Sequence, residues 1–97
     1  MPKAYWVTTY RSVSNPDALA AYAKLAGPAI AAAGGRFLIR GMPATTWEAG
    51  QATRTVVIEF DSLDRALAAH ETEAYKKALA ALSKGDVDRD MRVVEGV

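Results

Sequence analysis

Two adjacent glycines, Gly34 and Gly35, constrain this chain more than any other feature. They end a long alanine-rich stretch, and the next residues, Arg36-Phe37-Leu38-Ile39-Arg40-Gly41, alternate charged and apolar side chains. A glycine just past the last periodic residue is the usual left-handed helix stop. A period-two pattern directly after it reads as a strand. The chain therefore passes from helix to strand with no loop between them.

The remaining elements follow from similar signals. Residues 4–13 are rich in aromatic and β-branched side chains, which predicts a strand. Tyr5, Val7, Thr9 and Arg11 share one face, and Trp6, Thr8 and Tyr10 the other. Neither face looks solvent-like, so both are expected to be covered. Asn15 suits a helix N-cap, Pro16 the first helical position and Asp17 the positive end of the dipole. Leu19, Tyr22, Ala26, Ile30 and Ala33 then recur at helical spacing, and Gly27-Pro28 predicts a kink or short break within that helix. In the strand after the glycines, strict alternation places Phe37 and Ile39 on one face and Arg36, Leu38 and Arg40 on the other. A third strand spans about 53–60, with Val56, Ile58 and Phe60 opposed to Thr55, Val57 and Glu59. Asp61 or Ser62 caps a second helix. Its two apolar runs are out of phase, so a break is expected near Glu71-Thr72, with Thr72 capping the second piece. Residues 90–96 form a short last strand.

The order β-α-β-β-α-β predicts one ferredoxin-like α+β domain over residues 1–97, with helices on one face of a four-stranded antiparallel sheet. Val56, Ile58 and Phe60 belong under the helices, joined by Phe37, Ile39 and the Trp6 face. The opposite face mixes Tyr5, Val7, Thr9, Leu38 and Val57 with Arg11, Arg36, Arg40 and Glu59. It is too apolar for water and too charged for a dry core. Stacking the sheets of two copies would resolve this, which makes a homodimeric α+β barrel the expected assembly. At 97 residues a partner subunit also adds useful burial.

The 12 basic and 11 acidic residues balance to a net charge of +1, which offers no electrostatic reason for nucleic acid or an anionic membrane as partner. RNA recognition on this element order needs aromatics on the third strand, where Thr55, Val57 and Glu59 stand. The absence of cysteine rules out disulfides, thiolate zinc and a cysteine nucleophile. With a single histidine as well, neither a metal nor a cofactor site is expected. No apolar run is long enough to span a membrane, and no signal-like segment precedes the first strand, so the expected location is cytoplasmic.

The blocks Ala4-Tyr5-Trp6-Val7, Gly34 to Gly41, Val56-Val57-Ile58-Glu59-Phe60-Asp61-Ser62-Leu63 and Val94-Glu95-Gly96-Val97, taken together and in this order, resemble the domain-of-unknown-function 1330 family. The resemblance runs over essentially the whole chain. It implies a dimeric α+β barrel, on a scaffold shared with small monooxygenases, isomerases and stress-related proteins, and it implies no particular activity. One departure concerns the second helix: the family's aromatic-rich segment and Ser-Pro-Glu-Tyr block are replaced by Ala69-His70-Glu71-Thr72-Glu73-Ala74-Tyr75. A pocket wall built from those rings would be altered.

The candidate chemistry centres on Arg40 and Glu59, expected to face the same way on neighbouring strands, with Arg36 nearby. A guanidinium offers a planar fork to carboxylate or phosphate. The pair therefore either orients an anionic or carbonyl-bearing ligand, with Glu59 as a base, or is an ion pair that pins the strands or a dimer. Tyr5, Thr9 and Tyr22 are hydroxyl donors for the same centre, or core residues. His70, the lone histidine, is a proton-transfer candidate or a surface residue. Trp47 sits in a loop-like region, placed to cap the barrel mouth or to clasp a partner. Two functions remain open: cofactor-independent binding or conversion of a small oxygenated or anionic organic molecule, and a non-catalytic dimeric ligand-binding or stress-associated module whose Arg/Glu centre is architectural.

Overall fold

A computed structural model of the protein describes residues 2–97. The elements are β1 (Ala4–Val13), α1 (Pro16–Ala32), β2 (Arg36–Gly41), β3 (Thr55–Phe60), α2 (Leu63–Ala69), α3 (Glu73–Leu79) and β4 (Val87–Glu95). All strand pairs are antiparallel and the sheet order is β2-β3-β1-β4. The helices cover one face. The shortest dimension of the molecule, 18 Å, accommodates one helix layer on one sheet, and the other sheet face is open.

The helix ends form as the side chains dictate. Asn15 Oδ1 accepts from the Ala18 amide at 3.1 Å, and Pro16 opens α1 where its missing N–H costs nothing. At the other end Gly35 N–H reaches the Ile30 carbonyl at 2.9 Å and Gly34 N–H reaches Ala31 at 3.0 Å. That is a Schellman closure, made possible by Gly34 at φ 94°. Gly35 has a different duty: a Cβ there would stand 2.5 Å from Ile30 Cγ2 and 3.0 Å from both Ile58 and Phe60. It lets the chain leave the helix directly onto the sheet. Of the kink or short break expected at Gly27-Pro28, the break does not occur. The helix runs through Pro28 to Ala32, because Tyr22, Ala26, Ala29 and Ile30 keep one buried stripe on both sides of it.

The second helix is divided as its two phases require. Thr72 Oγ1 accepts from the Tyr75 amide at 3.2 Å and starts α3 afresh. This restart turns Tyr75 inward. Trp6, Phe60 and Tyr75 are the largest fully buried side chains, and Trp6 lies 5.1 Å from Phe60 and 5.2 Å from Tyr75 between ring centroids. Trp6 Nε1–H donates to the Ala66 carbonyl at 2.8 Å, tying β1 to α2. Each of these rings contributes about 1.5–3 kcal/mol through burial, and the tilted contacts between them add specificity of placement.

Two departures from the expected strands decide what faces the helices. In β2 the register runs Arg36 to Glu59 and Phe37 to Ile58, then jumps so that Ile39 meets Val57 and Arg40 meets Val56. Leu38 is an extra residue, a β-bulge, and everything after it changes sides. Ile39 therefore lies on the open face, 51% exposed, and Arg40 lies on the helix side. This reverses the expected facing of both. The second departure is length: β4 begins at Val87 because the ten-residue β1 offers partners as far as Val13. Arg89, expected before the strand, is thereby paired opposite Tyr10 within it.

Candidate functional site

A cavity of about 70 Å³ opens between α1 and the sheet. Its floor is built row by row from the strand register. One row sets Arg89 of β4 beside Tyr10 of β1, whose amide donates to the carbonyl of Arg54 at 3.0 Å. The next row carries Met91, Thr8, Val56 and Arg40, and a further row carries Trp6, Ile58 and Phe37. Helix α1 forms the roof with Leu19, Tyr22, Ala26 and Ile30, and at Gly27 the roof is bare, since nothing lies within 4 Å of where a Cβ would be. Three arginines, Arg40, Arg54 and Arg89, thus line one cavity whose other residues are apolar apart from Thr8, Tyr10 and Tyr22. Among the described residues none of the three takes part in an ion pair.

Arg89 is the best-held of the three. Its Nη1 donates to Tyr22 Oη at 3.2 Å and to Tyr10 Oη at 3.4 Å, and its guanidinium lies 4.8 Å from the Tyr22 ring centroid. The Tyr22 and Tyr75 hydroxyls are 2.7 Å apart. Burial raises the Tyr75 phenol above the ordinary tyrosine range, and the adjacent Tyr22 oxygen adds to it. Burial works against the charge on Arg89, but the phenol oxygens of Tyr22, Tyr75 and Tyr10 outweigh it, so the guanidinium is firmly cationic. Arg40 is more exposed and stacks over the Phe37 ring at 4.7 Å.

The open sheet face holds the acidic candidate. Glu59 accepts from Arg36 Nε at 3.0 Å and from the Tyr5 hydroxyl at 3.3 Å, and Arg36 Nη2 also donates to Asp61 at 2.9 Å. The Arg36 hydrogen bonds and charge hold the Asp61 carboxyl below its usual range. Partial burial and the Glu59 carboxylate raise the Tyr5 phenol. Arg36, Glu59, Tyr5 and Thr9 are therefore one face, whereas Arg40 and Tyr22 are on the other. The anticipated Arg40–Glu59 centre is not assembled: the bulge at Leu38 puts the sheet between the two side chains. His70 lies outside the cavity, half-exposed beside Glu71 at 3.3 Å, with its ring 5.2 Å from that of Tyr75. Trp47 is 81% exposed and touches neither site. Arg54 and Arg89 were not singled out in the sequence. The alternation Val87, Arg89, Met91, Val93 is the signal that marks Arg89 as inward-facing, and it becomes legible once β4 is known to start at Val87.

Among the described residues there is no cluster of three potential metal ligands, and no helix is long and apolar enough to cross a membrane. The β-α-β-β-α-α-β order, with helices on one side of a 2-3-1-4 sheet, defines a ferredoxin-like α+β domain. Within that class the chain belongs to the DUF1330 family, a domain of unknown function, which it matches over residues 3–97. No curated protein matches it. Among solved structures it is similar to RPA0582, a protein of unknown function from Rhodopseudomonas palustris, with a TM-score of 0.75 and 14% identity over 99% of this chain and 83% of that one. It is also similar to a candidate antibiotic biosynthesis monooxygenase of Caulobacter crescentus, with a TM-score of 0.62 and 17% identity over 99% and 91% of the two chains. A third likeness is to a dimeric ferredoxin-like protein of unknown function from Thermobifida fusca, with a TM-score of 0.55 and 17% identity over 97% and 91%. At these identities the likeness establishes the fold and no activity.

Proposed function

We propose that this protein binds a small oxygenated or anionic organic molecule, without a cofactor, in the cavity between α1 and the sheet. The observation that carries the reading is that Arg40, Arg54 and Arg89 line one largely apolar cavity with no carboxylate among its lining residues. Arg89, half-buried and without a carboxylate partner, is a cost to the empty protein that an anionic group offsets, and Arg40 and Arg54 add to the attraction. Arg40 and Tyr22, both anticipated as ligand-binding residues, lie on this cavity. Thermal shift with a panel of small carboxylates and quinone-like compounds tests the reading. A compound that raises the melting temperature of the wild type and not of Arg40→Ala supports it. A panel without a single hit overturns it.

Conversion of the ligand is the less favoured version. Neither a carboxylate nor a histidine is among the residues lining the cavity, so Glu59 and His70 stand apart from a molecule held there. The open sheet face favours the accompanying proposal that the protein works as a homodimer. Tyr5, Val7, Ile39 and Val57 form an apolar centre there, flanked by the Arg36–Glu59–Asp61 network. A second copy stacked on that face would bury the centre and leave the ion pairs at its edge. In this arrangement Arg36, Glu59, Tyr5 and Thr9 serve assembly.

A further inference from the structure

We infer that the ligand of the cavity is a small monocarboxylate with a compact, flat apolar body, its carboxylate seated on Arg89 and its body directed along β1 toward Trp6 and Phe37. This deepens the binding reading above and rests on it. The first support is how Arg89 is used. Tyr10 and Tyr22 both take Nη1, and the Tyr22 ring lies against the guanidinium, so the group is fixed in place. The Nε–Nη2 edge has no protein acceptor among the described residues. Two parallel N–H groups on a fixed plane match the two oxygens of a carboxylate.

The second support is the gradient along the floor. Tyr10 and Trp6 are four residues apart on β1, about 13 Å at the strand rise. The Tyr10 row carries cations and hydroxyls, while the Trp6 row carries aromatic and aliphatic carbon. A molecule lying across Thr8 would meet the fixed Arg89 fork at one end and the Trp6 row at the other, where the only charge is that of Arg40 lying over the Phe37 ring. Third, a small, partly covered space favours a singly charged head over a phosphate dianion, because the cost of stripping water grows steeply with charge. Arg40 is exposed, where its charge is screened, and with Arg54 it serves to steer the anion inward.

Isothermal titration calorimetry separates the possibilities, with benzoate, benzyl alcohol and inorganic phosphate as probes. The proteins are the wild type, Arg89→Lys and Gly27→Leu, each first shown to be folded by circular dichroism. Arg89→Lys keeps the positive charge and removes the fork. Gly27→Leu places a side chain where nothing now stands within 4 Å of the Cβ position. The expected result is benzoate binding to the wild type, weakened at least about tenfold by Arg89→Lys, as loss of a bidentate charged pair implies. Gly27→Leu should abolish it, and benzyl alcohol and phosphate should bind far more weakly. Benzoate binding that survives both substitutions overturns the inference. So does benzyl alcohol or phosphate binding as tightly as benzoate; if Gly27→Leu blocks that binding, the cavity is still a ligand site and only the carboxylate assignment falls. If no probe and no compound of the thermal-shift panel binds, both readings fall together.

Discussion

Gly34 and Gly35 look interchangeable in the sequence and are required for different reasons. Gly34 holds φ 94°, so Gly34→Ala places a Cβ in the left-handed region at a cost of about 1–2 kcal/mol. Asparagine, which tolerates that region, should recover part of the loss. Gly35 has no such backbone demand, but Gly35→Ala drives a methyl into Ile30, Ile58 and Phe60 and should cost about 1–3 kcal/mol, with no recovery by asparagine. Denaturant unfolding of the four variants checks both costs. Tyr75 makes a second residue-scale prediction. Its phenol titrates higher in the folded protein than in the unfolded chain. The associated stability is complete below about pH 10, the unfolded value, and is lost as pH rises toward the folded one. Alkaline titration followed by tyrosinate absorbance should show a late-ionising tyrosine that disappears in Tyr75→Phe, and melting temperatures of the wild type should fall on the alkaline side.

At the scale of elements, the caps set where each helix begins and the bulge sets what β2 presents. Thr72 accepts from the Tyr75 amide and donates to the Ala69 carbonyl at 3.3 Å, closing α2 and opening α3 with one hydroxyl. Thr72→Ala should destabilise the protein by about 1 kcal/mol, measured by thermal or denaturant melts. The larger consequence is that Tyr75 would be less firmly directed at Tyr22 and Trp6. Helix starts were legible because the capping residues act locally, through hydrogen bonds three residues long. The bulge was not. Arg36-Phe37-Leu38-Ile39-Arg40 reads equally well as continuous alternation, and only pairing with Val57 and Val56 reveals the extra residue. The start of β4 was hidden for the same reason: its first three residues are a strand because β1 is there to pair with them.

For the whole molecule, the open sheet face is the feature that a single copy leaves unexplained. Val57 lies at its centre, paired with Val7 on one side and Ile39 on the other. If two copies stack there, Val57→Asp buries an unpaired charge at the interface and should yield a monomer, whereas Val57→Ile should leave the assembly intact. Native mass spectrometry at micromolar concentration reads this out, and a monomeric wild type would sink the proposal. Because the cavity is on the far side of the sheet, the Arg89 site is assembled within one chain and does not require the dimer to form.

The sequence by itself determined the elements, their order and their caps, and with these the ferredoxin-like class. These are matters of local hydrogen bonding and periodicity, which neighbouring residues settle among themselves. Only the tertiary structure decided which arginine meets which partner. Arg40 was separated from Glu59 by one bulged residue, and Arg36 took its place. Arg89 joined the cavity because a long β1 extended β4 beyond its evident pattern. A side chain's face depends on register, and register belongs to two strands at once.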